Sequence, residues 1–124
     1  MTEELVTLET AKLLREKGYN EDCEDIIRGD NGWTMQSMIR TNENLPKLRY
    51  SRLTQSITQK WLRETKNMHI EIYRSACAYG YEISKADNGT HITSSTYKGT
   101  NDGGNWDTYE EALEAGIQEA LKLI

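Results

Sequence analysis

The chain has 124 residues, 36% of them hydrophobic and 28% charged, with a formal net charge of −5. That length suits one domain, or one with a small appendage, and a core that holds without disulfide staples. The composition excludes a disordered chain, and the absence of any run of about eighteen apolar residues excludes a membrane-spanning helix.

The first ten residues, Met1–Thr10, are acidic and carry no apolar segment, so they do not read as a secretory signal. Cys23 and Cys77 have no motif spacing and are expected to be reduced thiols of a cytoplasmic protein.

The spacing of Leu8, Ala11 and Leu14 predicts a short helix over Leu8–Lys17. Thr7 is its cap, Gly18 takes the left-handed stop, and Tyr19 folds back on Leu14. Cys23–Arg28 and Trp33–Ile39 read as two strands of a hairpin around Gly29-Asp30-Asn31-Gly32. Thr41–Ser51, with Pro46 and no periodicity, reads as a linker or long loop. Residues 1–50 are therefore expected to form an appendage of helix, hairpin and loop, and residues 51–124 the core domain.

Thr54–Lys66 predicts a second helix, with Leu53, Ile57, Trp61 and Leu62 buried, a polar side that includes Gln55 and Gln59, and Asn67 as its end. Met68–Arg74, Tyr79–Lys85 and Thr90–Tyr97 alternate like strands. Asp87-Asn88-Gly89 is a turn between the last two. Lys98–Asn105 is a Gly/Asn-rich loop.

The final helix, within Trp106–Ile124, is the clearest element. Tyr109, Ala112, Leu113, Gly116, Ile117, Ala120, Leu121 and Ile124 trace one helical face. Asp107 or Thr108 with Glu110 or Glu111 suits a capping box. The expected fold is α+β, an antiparallel three-stranded sheet with two helices on one face (α-β-β-β-α), preceded by a short helix and a β-hairpin. A glycine inside a helix costs about 1 kcal/mol relative to alanine. Gly116 in the row Ala112, Gly116, Ala120 therefore predicts a close approach by the sheet or the other helix.

The charge is segregated. Residues 40–66 hold seven Lys/Arg against two Asp/Glu, whereas residues 1–39 and 67–124 each hold four against nine. A basic middle between acidic flanks is either paired within the fold or turned toward phosphate.

Thr54–Glu64 followed by His69–Tyr73, the terminal Tyr109–Ile124 and the N-terminal Thr7–Tyr19 resemble a set of short uncharacterised proteins from prophage and mobile-element regions of anaerobic gut bacteria. In that set a proline often precedes the T-Q-S segment, where this chain has Leu53. The resemblance implies a cytoplasmic bacterial or phage setting and carries over no functional residue. The element order from Thr54 onward is also similar to the double-stranded RNA-binding domain. That family needs a basic cluster at the start of its last helix; Asp107, Glu110 and Glu111 stand there instead, so only the topology is expected to carry over.

The Gly-rich loop lacks the lysine of a phosphate loop, and Gly103 interrupts the oxygen donors of a calcium loop. His69, His91, Cys23 and Cys77 lack metal-ligand spacing. Glu110, Glu111 and Glu114 lie on a solvated helix face. No catalytic, cofactor or metal site is expected.

The reading that follows is a non-catalytic interaction or accessory protein of phage or mobile-element origin, with a homodimer or another protein as partner. The alternative is a nucleic-acid-binding protein using Arg49, Arg52, Lys60, Arg63 and Lys66 with Tyr73, Tyr79 and Tyr81, because exposed aromatics beside cations hold single strands.

Overall fold

The computed structural model describes residues 5–20, 23–28, 34–40, 49–74, 78–95 and 106–124. The order of elements is α1 (Leu8–Glu16), β1 (Cys23–Arg28), β2 (Thr34–Arg40), β3 (Arg49–Ser51), α2 (Gln55–Lys66), β4 (Met68–Arg74), β5 (Tyr79–Lys85), β6 (His91–Ser94) and α3 (Tyr109–Lys122). They form two compact units, Met1–Gln55 and Ser56–Ile124. The fold is α+β, with the expected α-β-β-β-α order in α2 through α3.

In the first unit, α1 is bounded as its sequence requires. The Thr7 hydroxyl accepts from the Thr10 amide at 3.4 Å. At the other end Gly18 has φ +97. Its amide donates to the Arg15 carbonyl at 3.3 Å, and the Tyr19 amide donates to the Leu14 carbonyl at 2.9 Å. This is the Schellman pair of bonds, and Leu14 and Tyr19 are both buried beside it. Thr10, Ala11 and Leu14 form the buried side of α1.

β1 and β2 pair antiparallel, with Ile26 opposite Met35 and Ile27 opposite Thr34. The turn at 29–33 lies outside the described residues. Residues 49–51, read above as the end of a linker, are a strand instead. β3 pairs with β1 on its other side, Ile26 opposite Ser51 and Ile27 opposite Tyr50, and the sheet order is β2-β1-β3. Residues 41–48 of the expected loop are outside the described residues. After β3 the chain runs back along the N-terminal segment: the Val6 amide donates to the Leu53 carbonyl at 2.9 Å, and Leu5 bridges to Thr54. Among the described residues of this unit, Val6, Ala11, Leu14, Tyr19, Ile26, Ile27 and Leu53 are buried and apolar.

The second unit is a meander of order β4-β5-β6. The predicted limits of β4 and β5 coincide with the observed ones. Asn67 stops α2 with φ +57, a conformation asparagine tolerates better than most residues. Its carbonyl accepts from Ala86 at 3.1 Å and its side-chain oxygen from the Asp87 amide at 2.9 Å. One residue thus ties the α2–β4 junction to the β5–β6 turn. In that turn Gly89 has φ +75, and the Asn88 side chain accepts from Thr90.

Pairing of Ile70 with Ile83 and Ile72 with Tyr81 defines one face of this sheet. α3 packs on that face, against β4 and β5. A Cβ on Gly116 would lie 3.0 Å from Cγ2 of Ile70 and 3.2 Å from Cβ and Cγ of Tyr81. The close approach expected at Gly116 is made by the sheet. The Thr108 hydroxyl caps α3 by accepting from the Glu111 amide at 3.1 Å, so Thr108 and Glu111 occupy the capping-box positions. Ala112, Leu113, Gly116, Ile117, Ala120 and Leu121 are its buried residues; Tyr109, expected with them, is 45% exposed.

The buried stripe of α2 is turned from the expected one. Gln55 and Thr58 are buried with Trp61 and Leu62, and Ile57 is 48% exposed. Gln55, Thr58 and Leu62 are spaced three and four apart, which is itself one helical face. A threonine methyl can serve a buried position that hydrophobicity alone assigns to isoleucine. The Gln59 amide donates to the Ile70 carbonyl of edge strand β4 at 3.4 Å.

β6 ends at Ser94, short of the expected Tyr97; Tyr97 and the Gly/Asn loop at 98–105 lie outside the described residues. The edge of β5 beyond β6 is satisfied by other means. The Ser95 hydroxyl accepts from the Tyr81 amide at 3.0 Å and donates to its carbonyl at 3.3 Å. Tyr79 exchanges backbone bonds with Trp106 at 2.8 and 3.3 Å. Each β5 backbone group that β6 does not reach at Tyr79 and Tyr81 finds a partner in this way.

Candidate interaction surface

The eight residues expected to make contacts are divided between the two units. Arg49 and Arg52 belong to the first; Lys60, Arg63, Lys66, Tyr73, Tyr79 and Tyr81 belong to the second. The backbone of Arg49 pairs with Arg28, and its side chain lies outside what is described. The Arg52 guanidinium is half-buried and donates through Nε to the Val6 carbonyl at 2.7 Å. It therefore fastens the N-terminal segment to the chain after β3.

Along α2, Lys66 is half-buried with its ammonium 5.5 Å from the centre of the Trp61 ring, a cation–π contact within the fold. Lys60 and Arg63 are exposed. Neither has an ion-pair partner among the described residues.

The aromatic residues lie on both faces of the β4-β5-β6 sheet. Tyr79, Tyr81 and Ile83 share the face under α3, and Tyr81 is 2% exposed. Its ring centre lies 5.5 Å from that of Trp106. Burial pushes its hydroxyl up to about 12, and the Glu119 carboxylate and Tyr73 add to the shift. Tyr81 is thus part of the core, which withdraws it from any contact surface. Tyr79 is half-buried between Tyr109, edge-on at 6.4 Å, and the Arg74 guanidinium at 4.8 Å.

Tyr73 lies on the opposite face, its hydroxyl 3.2 Å from that of Ser95. That face is a register-aligned array. His69, Ser84 and His91 form one row, Glu71, Glu82 and Ser94 the next, and Tyr73 sits opposite Gly80. Glu71 and His91 are exposed, and His69, Tyr73, Glu82 and Ser84 are half-buried. The His91 Nδ1 atom is 3.1 Å from a Glu82 carboxylate oxygen.

Glu71 and Glu82 are directly opposed like charges, a pairing that destabilises a sheet unless a cation relieves it. Alternation puts His69, Glu71 and Tyr73 on one face of β4, and Gly80, Glu82 and Ser84 on one face of β5. Only the pairing register joins the two sets into one surface, so the acidic pair is not legible in either strand alone.

Among the described residues no group of three or more His, Cys, Asp or Glu is arranged to hold a metal ion, and no helix is long and apolar enough to cross a membrane. Cys77 is outside the described residues, as is the side chain of Cys23. Set against protein-family models, curated proteins and solved structures, the chain matches none.

Proposed function

We propose that this is a non-catalytic interaction protein of the cytoplasm that binds another protein through the face of the β4-β5-β6 sheet left uncovered by α3. The observation that carries this reading is the content of that face. It presents an aromatic ring, Tyr73, beside the opposed carboxylates Glu71 and Glu82, none of them fully buried. A sheet in a layered fold ordinarily has its second face either solvated or covered by another element.

A phage or mobile-element origin belongs to the same proposal. It rests on the resemblance of Thr54–Glu64, His69–Tyr73 and the two terminal helices described above. The genes flanking the coding sequence test it, and a setting of chromosomal housekeeping genes would speak against it.

The nucleic-acid alternative retains Lys60 and Arg63, both exposed. It loses Tyr81 to the core and has Arg52 and Lys66 engaged within the fold. Acidic residues on the open sheet face would also repel a phosphate backbone.

Affinity capture from the native host with wild-type protein and with the variant E71K/Y73A tests the reading. A protein retained by the wild type and lost with the variant is the expected result. Retention on an oligonucleotide column at low salt that disappears in K60E/R63E would overturn it.

A further inference from the structure

The proposed interaction leaves its partner unnamed, and one face of α2 points to a candidate. Ile57, Lys60 and Arg63 recur every three residues on the exposed side of this helix. Ile57 is 48% exposed, and Ile92, in the edge strand β6, is 36% exposed. Neither Lys60 nor Arg63 is ion-paired among the described residues, and the same holds for Glu71 on the sheet. α2 therefore carries Ile57 with two cations that have no ion-pair partner among the described residues, and with the exposed Glu64 beside them, a face of net positive charge. The open sheet face carries the opposed carboxylates Glu71 and Glu82 with Tyr73 beside them.

Building on the interaction reading, we infer that the partner is a second copy of this chain, the Ile57/Lys60/Arg63 face of α2 in one copy lying on the Glu71/Glu82/Tyr73 face of the sheet in the other. Three features support a second copy over an unrelated protein. Both complementary surfaces lie on the same unit, Ser56–Ile124, so every copy carries a donor face and an acceptor face. Ile57, 48% exposed on α2, offers an aliphatic contact to the ring of Tyr73, itself not fully buried. The lysine and arginine of the helix supply a cation for Glu71, which has no ion-pair partner among the described residues, beside Glu82, whose carboxylate meets the His91 ring at 3.1 Å.

The contact is helix-sized. It falls at the small end of protein interfaces and implies weak, salt-sensitive association. If the two faces meet reciprocally the product is a two-fold dimer; if they meet head to tail it is an open array or ring.

Sedimentation velocity with light scattering over a hundredfold concentration range tests this. The expected result is a mass that rises with concentration at low salt and falls back to the monomer at 0.5 M NaCl. The variants K60E/R63E and E71K/E82K are each expected to weaken association at least tenfold when alone, because both of their faces then have the same sign. Mixed in equal amounts, they are expected to associate again.

Ile57→Ser, a surface change, is expected to weaken association several-fold, and thermal unfolding checks that each variant is folded. A wild type that remains monomeric throughout overturns the inference. So does self-association indifferent to both charge reversals, or failure of the mixture to recover. Monomeric behaviour together with a different protein captured through the sheet face would overturn the second copy alone. Oligonucleotide retention lost in K60E/R63E would overturn the interaction reading itself.

Discussion

The two sheets of this protein share a strand number and an antiparallel sense, yet they are assembled from differently spaced sequence. In β4-β5-β6 each strand pairs with its neighbour in the chain. In β2-β1-β3 the hairpin is local, but the third strand returns past β2 to pair with β1 and contributes only Arg49–Ser51. The meander announces itself through alternation over seven-residue strands and a turn at Asp87-Asn88-Gly89. A three-residue strand has no period to detect. Its pairing depends on β1 already being in place, which is a non-local fact.

Each sheet depends most heavily on the core beneath it. Ile83 and Leu14 are both fully buried, one under α3 and one on α1. Ile83→Ala and Leu14→Ala are each expected to cost roughly 2–5 kcal/mol, the range for removing a large aliphatic side chain from a packed site. Chemical denaturation reads the total. Amide hydrogen exchange reads where protection is lost first, expected in the sheet of the unit carrying the substitution. Equal loss in both sheets from either variant would erase the distinction.

A smaller effect is confined to the second unit. The Tyr81 hydroxyl titrates near 10 when exposed and is pushed up to about 12 in the folded chain. The folded state therefore favours the protonated form. Its contribution is complete below pH 10 and is lost as pH rises toward 12, an effect on the order of 2 kcal/mol. Stability measured across that window should fall less steeply in Tyr81→Phe than in the wild type. Identical slopes would mean that the hydroxyl is not kept from water.

The smallest effect separates two uses of glycine. At Gly18 the backbone is left-handed at φ +97 and a Cβ would meet nothing within 4 Å, so Gly18→Ala should cost about 1 kcal/mol through conformation alone. At Gly116 the backbone is helical and the obstacle is steric, with Ile70 and Tyr81 at 3.0–3.2 Å. Overpacking of about 1–3 kcal/mol is offset there by about 1 kcal/mol of helix propensity. Because Ile70 and Tyr81 are themselves buried on paired strands, the net effect of Gly116→Ala is expected to be destabilising. Thermal unfolding of the two variants checks both. A Gly116→Ala protein more stable than wild type would show that the sheet yields at this point.

The contact surface, like the first sheet, depends on non-local pairing. Lys60 and Arg63 were legible as an exposed cationic side because helical spacing is a local property. Tyr81 was expected at a contact surface and is core, because alternation says which residues share a face but not which face α3 covers. Arg52 belonged to the basic middle and is a structural tie, since its acceptor, the Val6 carbonyl, lies 46 residues away in the chain. On α2 Ile57, expected in the buried stripe, is exposed, and Gln55, expected on the polar side, is buried, because two neighbouring helical faces of similar composition differ only in what lies against them.

Local sequence alone fixes several elements and their ends: the Thr7 cap and the left-handed Gly18 stop of α1, the end of α2 at Asn67, the limits of β4 and β5, the apolar row of α3, and a cap for α3 at Asp107 or Thr108. These are set by interactions within a few residues, where side-chain chemistry and backbone conformation act directly. Tertiary structure alone decided the return of β3 to β1, the burial of Tyr81, the rotation of α2, and the meeting of Glu71 with Glu82. Each depends on which distant segment arrives, and on the burial and charge it brings with it.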